Sequence, residues 1–502
     1  MYFQGLLSMT IFLPLLGAGI ILCIPSREKQ AIRIVAACAS GLAAIMGMLI
    51  YIFSYQNTGS VGFDDPNAFL LVEKVSWIPQ FGISYFIGVD GFSGPMVVLS
   101  SMLGFLSVFV SWGIDKGVKG YFSLLLLLIT SMIGVFCALD FFLFYVFWEL
   151  MLLPMFFLIG IWGGPRREYA AIKFFLYTLS GSVLMLIVMI YLYLKTGGTG
   201  EARTFNLFAI IEAARGLNTQ QQIWVWLGLG IGFAIKVPIF PFHTWLPDAH
   251  VEAPTAISVL LAGILLKMGT YGFLRFNMTM LPEGQAHFSY WLALFGVINI
   301  VYGAMVAMAQ TDFKKLVAYS SVSHMGYVML GFAAMTPMAI SGATFQMFNH
   351  GTSSAMLFML VGVLYERAHH RDINGFGGIG SKMPIYYGLS AVGFFAALGL
   401  PGLSGFVSEA FVLLGSFQTY PVFTAIGCFG VVLTAGYLLW TIKRVFLGKL
   451  NPRYETLEDC NGREIFYLTP LAIIAVILGV FPFLVLNIIN GTAHALAVFN
   501  GY

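Results

Sequence analysis

Long apolar runs separated by short polar loops fill the chain. Runs of spanning length lie near 6–24, 31–53, 85–111, 121–139, 141–163, 169–194, 223–242, 253–276, 288–309, 316–335, 338–364, 384–414, 420–442 and 466–489, about fourteen in all. A helix crosses the hydrocarbon core of a bilayer with about 20 apolar residues, so each run predicts one transmembrane helix. An even count places both termini on one side. Lysine and arginine orient such a bundle, because they gather in cytoplasmic loops. Loops after odd-numbered runs hold 17 of them, among them Arg27, Arg166, Arg167, Lys314, Arg367 and Arg463; loops after even-numbered runs hold 5, Lys74, Lys195, Arg203, Arg215 and Arg275. The first set is expected to face the cytoplasm and both termini the opposite side.

Composition supports the same class. Of 502 residues, 59% are hydrophobic and 9% charged, with a mean hydropathy of +0.88. A soluble domain carries about 25% charged residues, so this chain is expected to be an all-α integral membrane protein in a lipid bilayer. The net charge of +3 is too small to suggest a nucleic-acid partner. The five cysteines are scattered without a CxxC pair, which argues against iron–sulfur clusters and structural zinc on this chain. The N-terminus lacks a basic region and a clear cleavage site, and reads as a first spanning helix and not a signal peptide. Tyr2-Phe3-Gln4-Gly5 resembles a protease-site remnant of an expression tag, and nothing is built on it.

Three basic residues are left over: Lys173, Lys236 and Lys267. Lys173 is near a helix end, where its ammonium can reach the interface. Lys236 and Lys267 lie inside apolar runs, as do Glu149, in Phe147-Trp148-Glu149-Leu150, and Glu409; His324 and His350 do too. An ionisable group at a helix centre costs about 2.5–3.5 kcal/mol, so four unpaired ones cost on the order of 10–14 kcal/mol. They are expected to face one another or buried water. Glu149 and Lys236 have opposite signs and are natural partners. A pair that only fixes helix packing, and histidines that only pack, are the structural alternatives.

Two helices are expected to break. In Lys236-Val237-Pro238-Ile239-Phe240-Pro241 proline removes backbone donors, and Leu398-Gly399-Leu400-Pro401-Gly402-Leu403-Ser404-Gly405 carries a second interruption. Each break lies beside an intramembrane charge, Lys236 and Glu409. Interrupted helices in two halves of a transporter mark an ion path. The spacing and prolines of His243–Glu252 argue against a metal site there, and His369-His370 reads as a solvated turn. No nucleotide-binding glycine loop or nucleophile motif is present.

The stretch from Lys236 through His243-Thr244-Trp245-Leu246-Pro247-Asp248-Ala249-His250 to Glu252-Ala253-Pro254-Thr255 closely resembles the signature of the complex I antiporter-like subunits. So do Leu261-Ala262-Gly263-Ile264-Leu265-Leu266-Lys267 and the segment Asp312-Phe313-Lys314-Lys315 through Ser323-His324-Met325-Gly326. The similarity covers about Phe141 to Phe417. Within the family the chain is most similar to the M type, which corresponds to subunit 4 in mitochondria and to the D type in photosynthetic counterparts. Three features carry this: the absence of the long lateral helix of L-type subunits after the last span, the segment Asn349–Arg367, and Glu409 where L and N types typically carry lysine. Ser408-Glu409-Ala410 departs from the Gly-Glu-Phe of bacterial M subunits and leans toward photosynthetic relatives, which leaves the electron donor, NADH or ferredoxin, open.

The resemblance implies fourteen helices with two inverted five-helix repeats, each holding one broken helix. The corresponding divisions are 1–120, 121–280 and 281–446 for the two repeats, and 447–502. It implies a proton-translocating subunit of an NADH:quinone oxidoreductase complex, in a bacterial inner (plasma) membrane or a thylakoid, beside L-type and N-type neighbours. Glu149 and Lys236 would form the controlling pair, Lys267 the central relay, His324 and His350 the path, and Glu409 its terminus. Redox catalysis would lie elsewhere, with quinone, FMN and Fe–S clusters on partner subunits. Two other readings stand: a component of a multisubunit Na⁺/H⁺ antiporter, where lysine would be expected in place of Glu409, and a membrane scaffold that does not pump.

Overall fold

The computed structural model describes residues 5–57, 66–197 and 202–502; Tyr2, Phe3 and Gln4 of the tag-like stretch lie outside them. Helices dominate. In chain order they are α1 Leu6–Cys23, α2 Lys29–Gln56, α3 Ser93–Val110, α4 Val118–Cys137, α5 Phe141–Trp162, α6 Arg167–Lys195, α7 Leu207–Arg215, α8 Thr219–Lys236, α9 Trp245–Glu252 and α10 Thr255–Met280. There follow α11 Pro282–Met308, α12 Phe313–Ala334, α13 Pro337–Ala368, α14 Pro384–Ala397, α15 Ser404–Phe417, α16 Pro421–Val445, α17 Gly462–Val480 and α18 Phe483–Phe499. Eleven of the described helices are long and apolar enough to cross a membrane on their own. With α12 and the two helices assembled from halves (α8 with α9, α14 with α15), the count reaches the expected fourteen.

Helices α10 and α13 form the centre of the bundle, with every residue of the apolar window of α10 buried. The peripheral helices α1, α2, α6 and α16 leave large apolar side chains such as Leu16, Ile45, Ile187 and Val432 exposed, which suits a lipid solvent.

Two elements were not legible in the apolar pattern. The run near 85–111 begins as a strand: β1 Leu70–Ile78 pairs antiparallel with β2 Ile83–Val89, and helix α3 starts only at Ser93. β-branched and aromatic residues in Ile83-Ser84-Tyr85-Phe86-Ile87-Gly88-Val89 favour the strand. The last run, near 466–489, turns at Phe481-Pro482, where proline cannot continue the hydrogen-bond ladder. The Tyr51 hydroxyl donates to the Leu484 carbonyl, and the Asn500 amide donates to Met278 at the far end of α18. Ser8 and Glu73 join the start of α1 to the hairpin. Helix α18 and the hairpin therefore both lie across the end of the bundle that carries the termini.

The two broken helices run in opposite directions. Helix α8 starts at the termini-bearing end and α9 ends at the other, basic end. Helix α14 starts at the basic end, where Ile385 and Tyr386 donate to Asp459, and α15 finishes beside Thr336 and Ala334 at the termini-bearing end. This is the relation expected of inverted repeats.

Two basic residues counted with the loops are buried at or within helices. Lys314 is 5% exposed at the start of α12, and its ammonium donates to Ala253 O. Arg275 is fully buried in α10, paired with Asp90. Both were assigned to loops because a run of apolar neighbours does not show where a helix ends. Lys173 pairs with Asp248 at 2.7 Å and so finds a partner inside the protein as well as at its rim.

Candidate functional site

The first break is held open by side chains. Helix α8 ends at Lys236, and the freed backbone groups find partners in α11 and α9. Phe240 N–H donates to Asn299 Oδ1 at 2.8 Å, Asn299 Nδ2 donates to Pro238 O at 3.0 Å, and Trp245 Nε1 donates to Ile235 O at 2.8 Å. Unpaired backbone at membrane depth is tolerated only when it is satisfied in this way. The break in turn ends α8 at Lys236, whose side chain is buried.

The expected Glu149–Lys236 pair is not closed in this structure. Lys236 Nζ lies 3.4 Å from Met151 Sδ and 4.8 Å from the centroid of the Trp148 ring. Glu149 is half-buried, and its Oε1 has no hydrogen-bond partner among the described residues. Trp148 and Met151 flank Glu149 on the same helix, so the two charges share one neighbourhood without touching. Trp148 is fixed by its Nε1 bond to Ser182 Oγ at 3.1 Å.

Helix α10 holds Lys267 just after a π-helical turn, Leu261–Leu265. That turn shifts the hydrogen-bond register, and Lys267 Nζ donates to Ala262 O at 2.5 Å. π-Bulges of this kind are common at functional sites. The same ammonium lies 2.6 Å from His350 Nδ1. Because the ammonium can only donate, His350 Nδ1 accepts. The other nitrogen, Nε2, then carries the hydrogen and donates to Ser354 Oγ at 2.7 Å. Helices α8 and α10 approach closely at Gly269, where a Cβ would come within 3.0 Å of the Lys236 Cβ.

From His350 the polar chain continues sideways. The His324 ring is 5.5 Å from the His350 ring, centroid to centroid. His324 Nδ1 faces Ser320 O at 2.7 Å, and Nε2 faces Ala397 O at 2.8 Å. Two carbonyls are both satisfied only when both ring nitrogens bear hydrogen. Ala397 is the last residue of α14, so the second break supplies this acceptor. His324 Nε2 also lies 3.7 Å from Glu409 Oε1, which accepts from Gln346 Nε2 at 3.2 Å. Ser408 donates to Gln346 Oε1 and accepts from Asn349 Nδ2. At Gly399, φ is +77°, and a Cβ there would lie 3.1 Å from Glu409 Oε2, so the break and the carboxylate are fitted to each other.

The structure thus joins Lys267, His350, His324 and Glu409 into one buried polar line and leaves Glu149 and Lys236 as a looser group at one end. Sequence reasoning missed Asn299 and Gln346, which organise the break and the carboxylate. Each is an uncharged amide within an apolar run, a signal that was available. It also set His250 aside. That ring is fully buried, stacks on Phe358 at 4.4 Å, and has no hydrogen-bond partner on either nitrogen among the described residues. His243, considered beside it as a ligand, instead meets the Tyr302 hydroxyl at 3.2 Å.

Residues 138–434 match the family described as NADH:quinone oxidoreductase/Mrp antiporter, TM. Over 505 residues the chain is 42% identical to NADH-quinone oxidoreductase subunit M of Rhodobacter capsulatus, covering 98% of this chain and 96% of that protein. It is 39% identical over 498 residues to the subunit M of Rickettsia typhi, covering 98% and 99%. Among solved structures it is similar to a chain of respiratory complex I from Thermus thermophilus with bound NADH, with a TM-score of 0.88 and 30% identity over 99% of this chain and 100% of that one.

Proposed function

The chain belongs to the NADH:quinone oxidoreductase/Mrp antiporter family of membrane proteins, and on that premise we propose that it is a proton-translocating, M-type subunit of a complex I type NAD(P)H or ferredoxin:quinone oxidoreductase. The observation that carries this reading is the buried succession of polar side chains from Lys267 through His350 and His324 to Glu409.

In this reading Lys236 and Glu149 form the control element, and the geometry described above is its open state. When Glu149 draws Lys236 toward it, the positive charge near α10 moves, and the proton affinity of Lys267 changes with it. Lys267 hands a proton to His350 Nδ1 along the 2.6 Å contact. Buried water carries a proton on from His350 to His324, whose rings lie 5.5 Å apart, and His324 exchanges its Ala397 acceptor for Glu409, which lies 3.7 Å from the same nitrogen. Moving a charge against 100 mV costs about 2.3 kcal/mol. Losing one partner of a buried ion pair costs about 3–5 kcal/mol, enough to drive such a step.

The two repeats correspond to residues 121–280 and 281–446. L-type and N-type neighbours would cover the half-exposed Glu149 face, the basic end would face the bacterial cytoplasm, and both termini would lie on the opposite side. Quinone, FMN and Fe–S clusters belong, in this reading, to partner subunits.

The test is proton pumping and electron-transfer rate in membranes whose assembled complex carries Glu149→Gln or Lys236→Ala. Both activities should fall with assembly intact. Normal pumping per electron in both variants would leave the chain a scaffold and refute the mechanism.

A further inference from the structure

The polar line leaves Lys267 sideways, yet helix α10 also carries polar groups straight toward the termini-bearing end. Tyr271 lies one turn beyond Lys267 and Arg275 one turn beyond that, on the same face. Arg275 Nε donates to the Tyr271 hydroxyl at 3.0 Å, and that hydroxyl donates to Phe136 O at 3.2 Å. Arg275 sits in a second π-helical turn, Phe273–Asn277. Its Nη2 is 2.7 Å from Asp90 Oδ1, and both side chains are sealed from solvent.

Asp90 is held from its own side. Its Oδ1 accepts from Phe92 N, Ser93 N and Ser93 Oγ at the start of α3. The neighbouring Gly91 lies so close to α18 that a Cβ would come within 2.3 Å of Ile488 O. The Phe69 ring lies 5.1 Å from the guanidinium and packs against Phe208, 5.5 Å between centroids. Arg275 Nη1 and Asp90 Oδ2 nonetheless lack hydrogen-bond partners among the described residues.

We propose that the Asp90–Arg275 pair is an electrostatic plug, closing the polar column above Lys267 to the termini-bearing side so that a proton leaves Lys267 only toward His350. A guanidinium does not give up its proton at any physiological pH, so it cannot relay one. The guanidinium lies between the Tyr271 hydroxyl and Asp90, so a proton coming from Lys267 meets the positive partner of the pair first and is repelled by it. The Tyr271 hydroxyl, already committed to Phe136 O, offers no free hydrogen to bypass it. The proposal rests on the translocation reading above and adds the residue that keeps the pump from short-circuiting.

The test uses the whole complex in liposomes, with passive proton flux measured under an imposed pH gradient and no turnover, followed by protons pumped per electron. Arg275→Gln should raise passive flux several-fold and lower the net protons per electron while electron transfer continues. Arg275→Lys, whose buried ammonium can lose its proton as a guanidinium cannot, should leak more than the wild type but less than Arg275→Gln. Adding Lys267→Ala to Arg275→Gln should close the leak again, because the relay that feeds it is gone. The double variant Asp90→Asn with Arg275→Gln removes both charges and avoids an orphaned carboxylate, and it should leak like the single one. Wild-type tightness in the double variant would overturn the proposal, as would a leak in Arg275→Lys equal to that of Arg275→Gln. A leak that survives Lys267→Ala, or failure of even the neutral double variant to assemble, would also overturn it. Failure of the translocation reading shows separately, as normal pumping in Lys236→Ala with Arg275 untouched.

Discussion

Asn299 is one side chain on which the first break depends, and replacing it by leucine isolates that dependence. Leucine has nearly the same size, so packing in α11 is kept while two hydrogen bonds vanish, from Phe240 N–H and to Pro238 O. Each leaves a buried backbone group unpaired at about 1–3 kcal/mol. The pair together amounts to about 4 kcal/mol, or about a thousandfold in the population of the broken geometry at tenfold per 1.4 kcal/mol. Trp245→Phe removes one comparable bond, to Ile235 O, and should cost about 1–3 kcal/mol. The assay is a thermal melt of the purified complex together with protons pumped per electron in sealed membranes. Both quantities should fall, and further for Asn299→Leu than for Trp245→Phe. If Asn299→Leu matches the wild type in melting and in pumping, the break is held by something other than these bonds and the reasoning fails.

At the second break, Gly399→Ala places a Cβ 3.1 Å from Glu409 Oε2 at a φ of +77°. The left-handed backbone alone costs about 1–2 kcal/mol. Protons per electron should drop while the complex still assembles; unchanged pumping would show that Glu409 tolerates displacement. On the basic end, Arg367 grips Glu464 through two contacts of 2.7 Å and holds the carbonyls of Glu458 and Asp459. Arg367→Ala should cost about 3 kcal/mol by leaving Glu464 buried and unpaired, read as a lower melting temperature of the complex, and Arg367→Lys should recover only part of it.

Much of the molecule was legible in the chain itself. Each apolar run long enough to cross a bilayer contains a spanning helix or one or both halves of a broken one, because a helix satisfies its own backbone groups where water is absent. Both breaks could be placed from Pro238, Pro241 and the Gly399–Gly405 stretch, since proline and glycine act through local backbone geometry. Lys236, Lys267, His324, His350 and Glu409 could be named because an ionisable group in such a run is conspicuous, and all five are buried.

What the sequence could not supply was distance. Lys267 and His350 lie 83 residues apart and meet at 2.6 Å only because α10 and α13 cross at the centre of the bundle. Glu149 and Lys236 have opposite charges and near positions in depth, yet side-chain packing puts Met151 and Trp148 against the ammonium instead. Arg275 read as a loop residue until the fold buried it against Asp90, 185 residues earlier in the chain. Hydropathy reports how a segment partitions between water and lipid, a property of its own residues. Which polar groups then face one another depends on helix rotation and crossing, and those are decided only when the whole bundle packs.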